Sequence, residues 1–562
     1  MDGHFDAVIV GSGFGGSVTA YRLAEAGLRV CVLERGQAYP PGSFTRSPYR
    51  ARESFWDPDR GLRGMYHYWS FRGIDALVSS GLGGGSLIYA NVLLRKDEKW
   101  FVEEDVNDGG FEYWPVTRAD LDPHYDRAEK MLGAQRYPVE HEPYRSTPKT
   151  VAFKEAAERN GMEVFHPNLA VTFANPGREP VPGEAIVEGR YPSLHGKTRV
   201  TCQLTGECDV GCNFGAKNTL DHTYLSAAKH HGAELWTGCD VRTIRPRPGG
   251  GYEVGYRDLD DERPGLRTLS ADRLVISAGT LGSTNLLLRN RSAFPRLSRK
   301  LGTRFCGNGD LLTMAINCRD ERGGKRVPRI IDPGYGPVIT TTARMPDGSD
   351  EGGEGRGFYL QDAGFPQHLS WVLHFIATPT TLWRWRKGAL YLVENWLRGT
   401  PSTDVTAQIA DMLQASELSA GVLPLLGMGR DVPDGNMYLR DGRLDIDWKR
   451  AKSDHYFERL RATSRSFAQA LGGRFAENPL WFLGRVITVH PLGGAPMGRH
   501  AGEGVTDQYG EVFGHPGLHV LDGAIMPGPV GPNPSLTIAA VADRSCDRIL
   551  ETSRPAEALT AA

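Results

Sequence analysis

The chain has 562 residues, enough for about three or four ordinary domains or for fewer large ones. Its 65 basic and 67 acidic residues give a formal net charge of −2 without long runs of like charge, which argues against a nucleic-acid-binding protein. The 69 glycines follow no collagen-like or low-complexity period, so we expect them in tight turns and where the backbone approaches a ligand.

The N-terminus leads directly into an apolar run, with no segment typical of a secretion signal, so we expect a cytoplasmic protein. No uninterrupted apolar stretch of about 18 residues occurs, so we expect no spanning helix, while peripheral contact with a membrane stays open. The eight cysteines are mostly far apart, and a disulfide framework is not expected in an intracellular chain of this size.

A complete strand–helix–strand unit is predicted at the N-terminus. An apolar run over 5–10 leads into a glycine-rich turn, then into a helix to about residue 27 and a second apolar run over 28–33. Such a turn lets the backbone approach a pyrophosphate at a helix N-terminus, and an acidic residue after the second strand suits a ribose hydroxyl. The pattern predicts a dinucleotide site without separating NAD from FAD. Its residues are Gly11, Gly13, Phe14, Gly15, Gly16 and Glu34.

A second glycine-rich segment follows at 81–86. Consecutive backbone donors there can contact the pyrophosphate or the edge of a flavin ring, and a flexible turn is the alternative. The candidate binding residues are Gly83, Gly84, Gly85, Ser86 and the nearby Asn91.

Three cysteines cluster in the middle of the chain. Cys202, Cys208 and Cys212, with Thr205 in the second slot, follow the spacing of iron–sulfur ligands. Three thiolates could hold a three-iron cluster, or a four-iron cluster with an outside ligand. Because one ligand is missing, we favour a remnant with buried thiols or one disulfide.

Further strands of the nucleotide-binding fold lie far along the chain. Apolar runs at 274–279 and 518–521 read as buried parallel strands. We therefore predict a discontinuous nucleotide-binding domain made of residues 1–104, 201–310 and 485–562. The insertions at 105–200 and 311–484 would form a second domain over the reactive end of the cofactor.

The C-terminal part contains an imidazole in a turn and an amide at a predicted helix start. His490 opens the sequence HPLGG, which excludes regular helix, and Asn533 and Pro534 suit the start of a helix reaching about residue 549. The positive end of that helix would stabilise an anionic reduced flavin. Asp522 would hold a ribityl hydroxyl or a water beside the phosphates. A structural histidine and a pure helix cap are the alternatives for His490 and Asn533.

These segments together resemble the glucose-methanol-choline (GMC) oxidoreductase family, in its cholesterol-oxidase-like branch, across essentially the whole chain. The resemblance rests on GSGFGG with Glu34, GLGGGSLIYAN, SAGTLGSTNLLL, FCGNGD, HPLGG and DGAIMPGPVGPNPSLTIAA. It implies FAD, a discontinuous α/β Rossmann-like FAD-binding domain, and an α+β substrate-binding domain with a mainly antiparallel sheet. The cofactor-binding residues then also include Val241, Ala278, Gly279 and Gly523.

By the same resemblance, His490 matches the family's active-site histidine and Asn533 its partner. His490 would receive or orient the hydroxyl proton of an alcohol, and Asn533 would donate a hydrogen bond to the developing alkoxide, while a hydride passes to flavin N5. A bulky apolar alcohol is expected as substrate, with a 3β-hydroxysterol favoured and a ketone as product. Asp310 and Asp362 are candidates for the additional acidic residue that sterol oxidases of this branch carry.

Two other functions stay open. One is oxidation of a different alcohol, such as a long-chain, terpenoid or sugar-derived one, and the other is a flavin and iron–sulfur electron-transfer protein. The electron acceptor, O2 or another molecule, is not decided. An aromatic-rich part of the second insertion is compatible with an apolar substrate, and it contains Phe365, Trp371, Phe375, Trp383, Trp385 and Trp396.

Overall fold

The computed structural model describes residues 3–102, 112, 114–261, 265–366, 421–477, 481 and 484–553. Of the six aromatic residues just named, Phe365 lies within these ranges and the other five lie outside them. No helix in the described ranges is both long and apolar enough to cross a bilayer. The α-helices there are α1 Phe14–Glu25, α2 Arg118–Met131, α3 Pro148–Arg159, α4 Tyr224–His230, α5 Gly279–Arg289, α6 Asp454–Ala470 and α7 Ser535–Ser553.

The strands of the described ranges belong to several sheets, two of them large. In chain order they are β1 His4–Val10, β2 Val30–Leu33, β3 Trp56–Asp57, β4 Leu62–Arg63, β5 Tyr66–Ser70, β6 Ile74–Ser79, β7 Val92–Leu93, β8 Gln135–Arg136, β9 Val164–Phe165, β10 Asn168–Leu169, β11 Glu234–Trp236, β12 Cys239–Pro246, β13 Tyr252–Asp258, β14 Arg267–Ile276, β15 Leu311–Ile316, β16 Arg319–Arg322, β17 Lys325–Pro328, β18 Thr342–Met345, β19 Phe358–Asp362, β20 Leu423–Gly429, β21 Asn436–Arg440, β22 Arg443–Asp447, β23 Arg474–Glu477, β24 Val486–Thr488 and β25 Leu518–Val520.

The first large sheet has the order β11–β2–β1–β14–β13–β12, with β25 also paired to β14. Strands β11, β2, β1, β14 and β25 run parallel, whereas β13 is antiparallel to both of its neighbours. Val8 and Ile9 of β1 are fully buried, as is typical of a parallel strand covered on both faces, and α1 packs against α4 and α7. Strand β25 thus joins a sheet whose other strands all end by residue 276, so this sheet is built from distant parts of the chain. The exact domain boundaries remain a prediction.

The second large sheet is antiparallel throughout, in the order β23–β15–β20–β19–β18–β9. Helix α6 packs against β15 and β23. Its buried side chains Tyr456, Leu460 and Phe467 recur at the spacing of one helix face, which explains why this segment is helical and how it is anchored. The predicted fold class, a Rossmann-like α/β region with a second region built on a mainly antiparallel sheet, is confirmed.

A small sheet, β24–β6–β5, sets the position of the HPLGG segment. Strand β24 pairs in parallel with β6 and ends two residues before His490. Beyond it, the backbone of Leu492 exchanges two hydrogen bonds with Cys306, of 3.0 and 3.1 Å. These bonds bring the HPLGG segment beside the loop at 305–310.

Candidate active site

A cavity of about 1990 Å3 is lined by residues of both large sheets, among others. Most of the predicted site residues also line it. Ordinary small-molecule pockets have volumes of roughly 300–1,000 Å3, so this cavity has room for a dinucleotide together with a substrate. Both members of the expected catalytic pair, His490 and Asn533, line it. The cofactor residues that line it are Gly11, Gly13, Phe14, Glu34, Gly84, Gly85, Val241, Ala278, Gly279, Asp522, Gly523 and Pro534.

The first glycine turn leaves open space at one position and none at the others. A Cβ on Gly13 would meet nothing within 4 Å, whereas a Cβ on Gly15 would overlap the carbonyl oxygen of Leu521, and one on Gly16 would overlap that of Gly11. Helix α1 begins just after Gly13, and no side chain caps it. Its free N–H groups therefore adjoin the cavity at the one glycine with open space, as a pyrophosphate site requires.

The second glycine segment packs onto the first. A Cβ on Gly84 would lie 2.6 Å from the Cα of Gly13. The carboxylate of Glu34 joins the two segments, because it accepts the backbone N–H groups of Ser12 at 3.1 Å, Gly36 at 2.8 Å and Gly81 at 3.2 Å. The Ser12 hydroxyl is a fourth donor at 2.6 Å, so a ribose hydroxyl would share the Glu34 oxygens with these protein groups.

Five predicted binding residues, Gly15, Gly16, Gly83, Ser86 and Asn91, do not line the cavity. The Ser86 hydroxyl donates to the carbonyl of Gly83 at 2.7 Å and accepts from the Leu220 N–H at 3.0 Å. These two hydrogen bonds stabilise the turn. Asn91 is fully buried with a positive φ of 67°, and its side-chain amide has no hydrogen-bond partner in the described structure.

Asp522 serves the protein rather than an open site. Its carboxylate accepts the Gly279 N–H at 2.9 Å, the Ser283 hydroxyl at 2.5 Å and the Ala524 N–H at 2.8 Å. It thereby caps α5, which begins at Gly279. Burial raises the pKa of Asp522 to about 6. Asp522 lines the cavity, as expected, but its oxygens are engaged by these donors.

His490 is held by Asp310. Its Nδ1 lies 2.8 and 3.1 Å from the two carboxylate oxygens. The same carboxylate accepts the backbone N–H groups of Val489 at 2.8 Å and His490 at 3.1 Å, and the hydroxyl of Thr488 at 3.0 Å. The Asp310 side chain is 2% exposed and that of His490 is 16% exposed, so the contact is sheltered from water.

Asn533 is held by a glutamine that the sequence analysis missed. The Asn533 amide oxygen accepts from Nε2 of Gln361 at 3.1 Å, and Gln361 also donates to the Thr342 hydroxyl at 3.1 Å. Both amides are buried. With its oxygen engaged, Asn533 keeps its N–H groups as donors. The signal that could have found Gln361 is a neutral polar residue inside strand β19, every residue of which is buried.

Comparison with known proteins agrees with this geometry. Two models described as "GMC oxidoreductase" match residues 195–306 and 433–542, and one described as "NAD(P)-binding Rossmann-like domain" matches 9–49. The chain is 30% identical to the cholesterol oxidase of Mycobacterium tuberculosis, over 97% of this chain and 91% of that protein. The chain belongs to the GMC oxidoreductase family. It is accordingly an FAD-dependent alcohol oxidoreductase.

Other GMC relatives and structures extend the comparison. The cholesterol oxidase of Acinetobacter baumannii is 27% identical over 97% of this chain and 94% of that protein. The crystal structure of pyridoxine 4-oxidase from "Mesorbium loti" matches with a TM-score of 0.56 and 17% identity, over 97% of this chain and 99% of that one. This structural likeness establishes the shared fold.

In this GMC chain, Asp362 is not placed in the cavity. Its fully buried carboxylate is 2.6 Å from Nζ of Lys149 and accepts the N–H groups of Thr340 at 2.8 Å and Thr341 at 2.7 Å. Asp310 does line the cavity, but its oxygens are engaged by His490 and its neighbours. Neither candidate is therefore an unpaired acid that a substrate could meet.

The cysteine cluster gives no support to an iron–sulfur centre. The void beside Cys202, Cys208 and Cys212 is about 20 Å3, which is room for a water molecule but not for a metal–sulfide cluster. Burial raises the pKa of the Cys208 thiol to about 11 and also raises that of Cys202, so both thiols favour their protonated form.

One other cluster in the described ranges has metal-ligand spacing. His195, Asp221 and His222 bring three ligand atoms within 4.8 Å of one another. Protein hydrogen bonds account for this arrangement, since Nε2 of His195 lies 2.6 Å from the Asp221 carboxylate and Nδ1 of His222 lies 2.8 Å from the Ser193 hydroxyl. Burial also lowers the pKa of His222 to about 4, which keeps its imidazole neutral.

Proposed function

We propose that this protein oxidises a bulky apolar alcohol, a 3β-hydroxysterol, to the corresponding ketone. The observation that carries the proposal is the chemistry of the cavity wall. The described residues of the insertion 311–484 that line the cavity are all apolar or glycine except Arg443, namely Leu311, Leu312, Met314, Val338, Ile339, Ala363, Gly364, Phe365, Pro424, Leu426, Gly442, Leu444 and Trp481. Such a wall favours an apolar ring system over a sugar, whose hydroxyls would lose hydrogen bonds to water there.

The choice of a sterol is supported by two relatives. Cholesterol oxidases at 30% and 27% identity span nearly the whole chain. The fold alone does not select the alcohol, because a protein of the same fold is named for pyridoxine. The sterol therefore rests on the relatives and on the apolar wall together.

The FAD would be held by residues of the two glycine segments, of β12, of the start of α5, of the turn after β25 and of the segment just before α7. Open space at Gly13 beside the α1 N-terminus suits the pyrophosphate. Residues Val241, Ala278, Gly279, Gly523 and Pro534 line the same cavity. When bound, FAD supplies the acceptor for the hydride that leaves the alcohol carbon.

The chain's own residues then handle the hydroxyl group. His490 takes the hydroxyl proton at Nε2, since its Nδ1 is engaged by Asp310. Asn533 donates a hydrogen bond to the developing alkoxide, because its amide oxygen is engaged by Gln361. The alcohol thus loses one proton to His490 and one hydride to the cofactor, and the product is the ketone.

Anaerobic stopped-flow reduction tests the proposal. Flavin absorbance of the purified holoenzyme is followed after mixing with 3β-hydroxysterols, long-chain alcohols, terpenoid alcohols and aminosugar alcohols. We expect saturable reduction by the sterols. Rapid reduction by another class, with every sterol inactive, would refute the sterol substrate, and a colourless protein that takes up no FAD would refute the proposed chemistry altogether. Admitting oxygen afterwards shows whether O2 reoxidises the cofactor.

A further inference from the structure

Asp310 is a buried carboxylate whose hydrogen bonds converge on one short segment. Four of its donors are the Thr488 hydroxyl, the N–H groups of Val489 and His490, and Nδ1 of His490. An ionised carboxylate only accepts hydrogen bonds, so the imidazole nitrogen that faces it has to carry a proton. The other ring nitrogen, Nε2, is then an unprotonated acceptor whenever the imidazole is neutral.

We propose that Asp310 is a positioning residue that fixes the His490 tautomer with the proton on Nδ1 and leaves Nε2 as the base for the substrate hydroxyl. The inference rests on the proposed function, because it gives His490 the role of base. It also assigns Asp310 a second effect. When the imidazole becomes cationic on taking the alcohol proton, the carboxylate next to it stabilises that charge.

The loop that carries Asp310 holds both members of the pair. The Asn308 side chain accepts the Gly531 N–H at 2.8 Å and donates to the Pro532 carbonyl at 3.1 Å, one residue before Asn533. Asn308 itself has a positive φ of 52° and is fully buried. A single loop therefore orients the imidazole through Asp310 and the backbone at Asn533 through Asn308.

Asp431 and Tyr456 are further titratable groups in the described ranges that contact this loop. Asp431 accepts the Gly307 N–H at 2.8 Å, and burial raises its pKa to about 7. The hydroxyl of Tyr456 donates to the Gly309 carbonyl at 2.8 Å, and burial raises its pKa, so it stays neutral. A pH profile of His490 therefore has to be compared with that of an Asp431→Asn variant, which removes the second carboxyl group near Asp310.

The first arm of the test needs no turnover. The 15N shifts of His490 in the wild-type holoenzyme, assigned by comparison with His490→Gln, report which ring nitrogen carries the proton. We expect Nδ1 protonated and Nε2 unprotonated above the pKa of the ring. A wild-type spectrum with the proton on Nε2 would overturn the inference, even if the Asp310 variants fail to fold.

The second arm measures flavin reduction. Asp310→Asn can turn its N–H group toward Nδ1, so we expect the neutral imidazole to move its proton to Nε2 and the limiting reduction rate to fall by about 10²-fold or more. The apparent substrate Kd and the FAD content should stay near wild type, the limb of the pH profile that belongs to His490 should shift, and Asp310→Glu should restore part of the rate. An Asp310→Asn holoenzyme with wild-type rate, pH profile and tautomer would refute the positioning role.

The two arms separate this inference from the proposed function. A wild-type spectrum with Nδ1 protonated, combined with no reduction by any alcohol, would defeat the proposed function and leave the tautomer assignment intact. Normal sterol oxidation with the proton on Nε2 would do the opposite.

Discussion

Replacing Gln361 tests how the donor at Asn533 is oriented. Gln361 is fully buried, and its Nε2 donates to the amide oxygen of Asn533 at 3.1 Å. Gln361→Met keeps the size of the side chain and removes the donor. A buried acceptor without a partner costs about 1–3 kcal/mol, and about 1.4 kcal/mol corresponds to a tenfold change in rate. If the Asn533 amide loses that much of its orientation, flavin reduction should slow by roughly 10- to 100-fold.

Gln361→Glu should have a larger effect than Gln361→Met. An ionised carboxylate at this position only accepts hydrogen bonds, so it favours an Asn533 amide turned by half a revolution, with its N–H groups toward residue 361 and its oxygen toward the substrate. The developing alkoxide would then meet an acceptor instead of a donor. Loss of one donor of this kind costs about 10²–10³-fold in rate, so the glutamate variant should be slower than the methionine variant.

The assay is the limiting rate of anaerobic flavin reduction at saturating alcohol, with FAD content measured from the flavin absorbance. Asn533→Ala supplies the reference, because it removes the donor outright. We expect the rate of Gln361→Glu to approach that of Asn533→Ala, and the rate of Gln361→Met to lie between it and wild type. A glutamate variant that reduces its flavin at the wild-type rate would show that Gln361 does not orient Asn533.

Three further predictions concern the base, the glycine turn and the buried charge. His490→Ala should lower the flavin reduction rate by about 10²-fold or more while FAD content is unchanged, and stopped-flow would show a wild-type rate if the base is elsewhere. Gly15→Ala should lose FAD and lower the Tm, because its Cβ overlaps the Leu521 carbonyl, whereas exposed Gly189→Ala, which meets nothing within 4 Å, should do neither. Burial raises the folded-state pKa of Asp431 to about 7, so the folded protein binds the extra proton and stability should fall as pH rises from about 4 to 7. Asp431→Asn should remove that part of the pH dependence in denaturant titrations, and an unchanged dependence would contradict the assignment.

The nucleotide-binding unit could be predicted from sequence because its determinants are local. The glycines of the first turn, the apolar run before it and the acidic residue after β2 lie within about one supersecondary unit. Element ends are harder to predict, since α5 begins at Gly279, where Asp522 accepts the first N–H group. That cap comes from a residue 243 positions away, which no local pattern reveals.

In the candidate site, too, local motifs could be predicted and contacts between distant residues could not. His490 and Asn533 stand in recognisable motifs, but the residues that orient them do not. Asp310 is 180 positions from His490, and Gln361 is 172 positions from Asn533. Asp310 was a candidate for a different role, and Gln361 carried no signal beyond being polar in a buried strand. Only the folded chain shows these contacts, because each of them joins two segments that are far apart in the sequence.

Spacing was also insufficient for the cysteines. Iron–sulfur ligation needs cysteines at suitable positions and a space of cluster size between them. Sequence spacing indicates the positions of the cysteines but not the space between them. The void of about 20 Å3 beside Cys202, Cys208 and Cys212 supplies no such space. Close packing leaves little space around these cysteines. The same burial raises the pKa of the Cys202 and Cys208 thiols, because it disfavours the charged thiolate.

The structure therefore separates the proposed chemistry from the choice of alcohol. In the proposed mechanism, Asp310 and Gln361 would fix which atom accepts and which atom donates at the hydroxyl group, from buried positions behind His490 and Asn533. The mostly apolar wall would then contact the rest of the substrate. Changes in that wall, such as at Met314, should alter the apparent substrate Kd and leave the limiting reduction rate nearly unchanged, because binding equal in ground and transition states does not speed the chemical step. Changes at Asp310 or Gln361 should do the reverse, because these residues act on the hydroxyl group and not on the rest of the substrate.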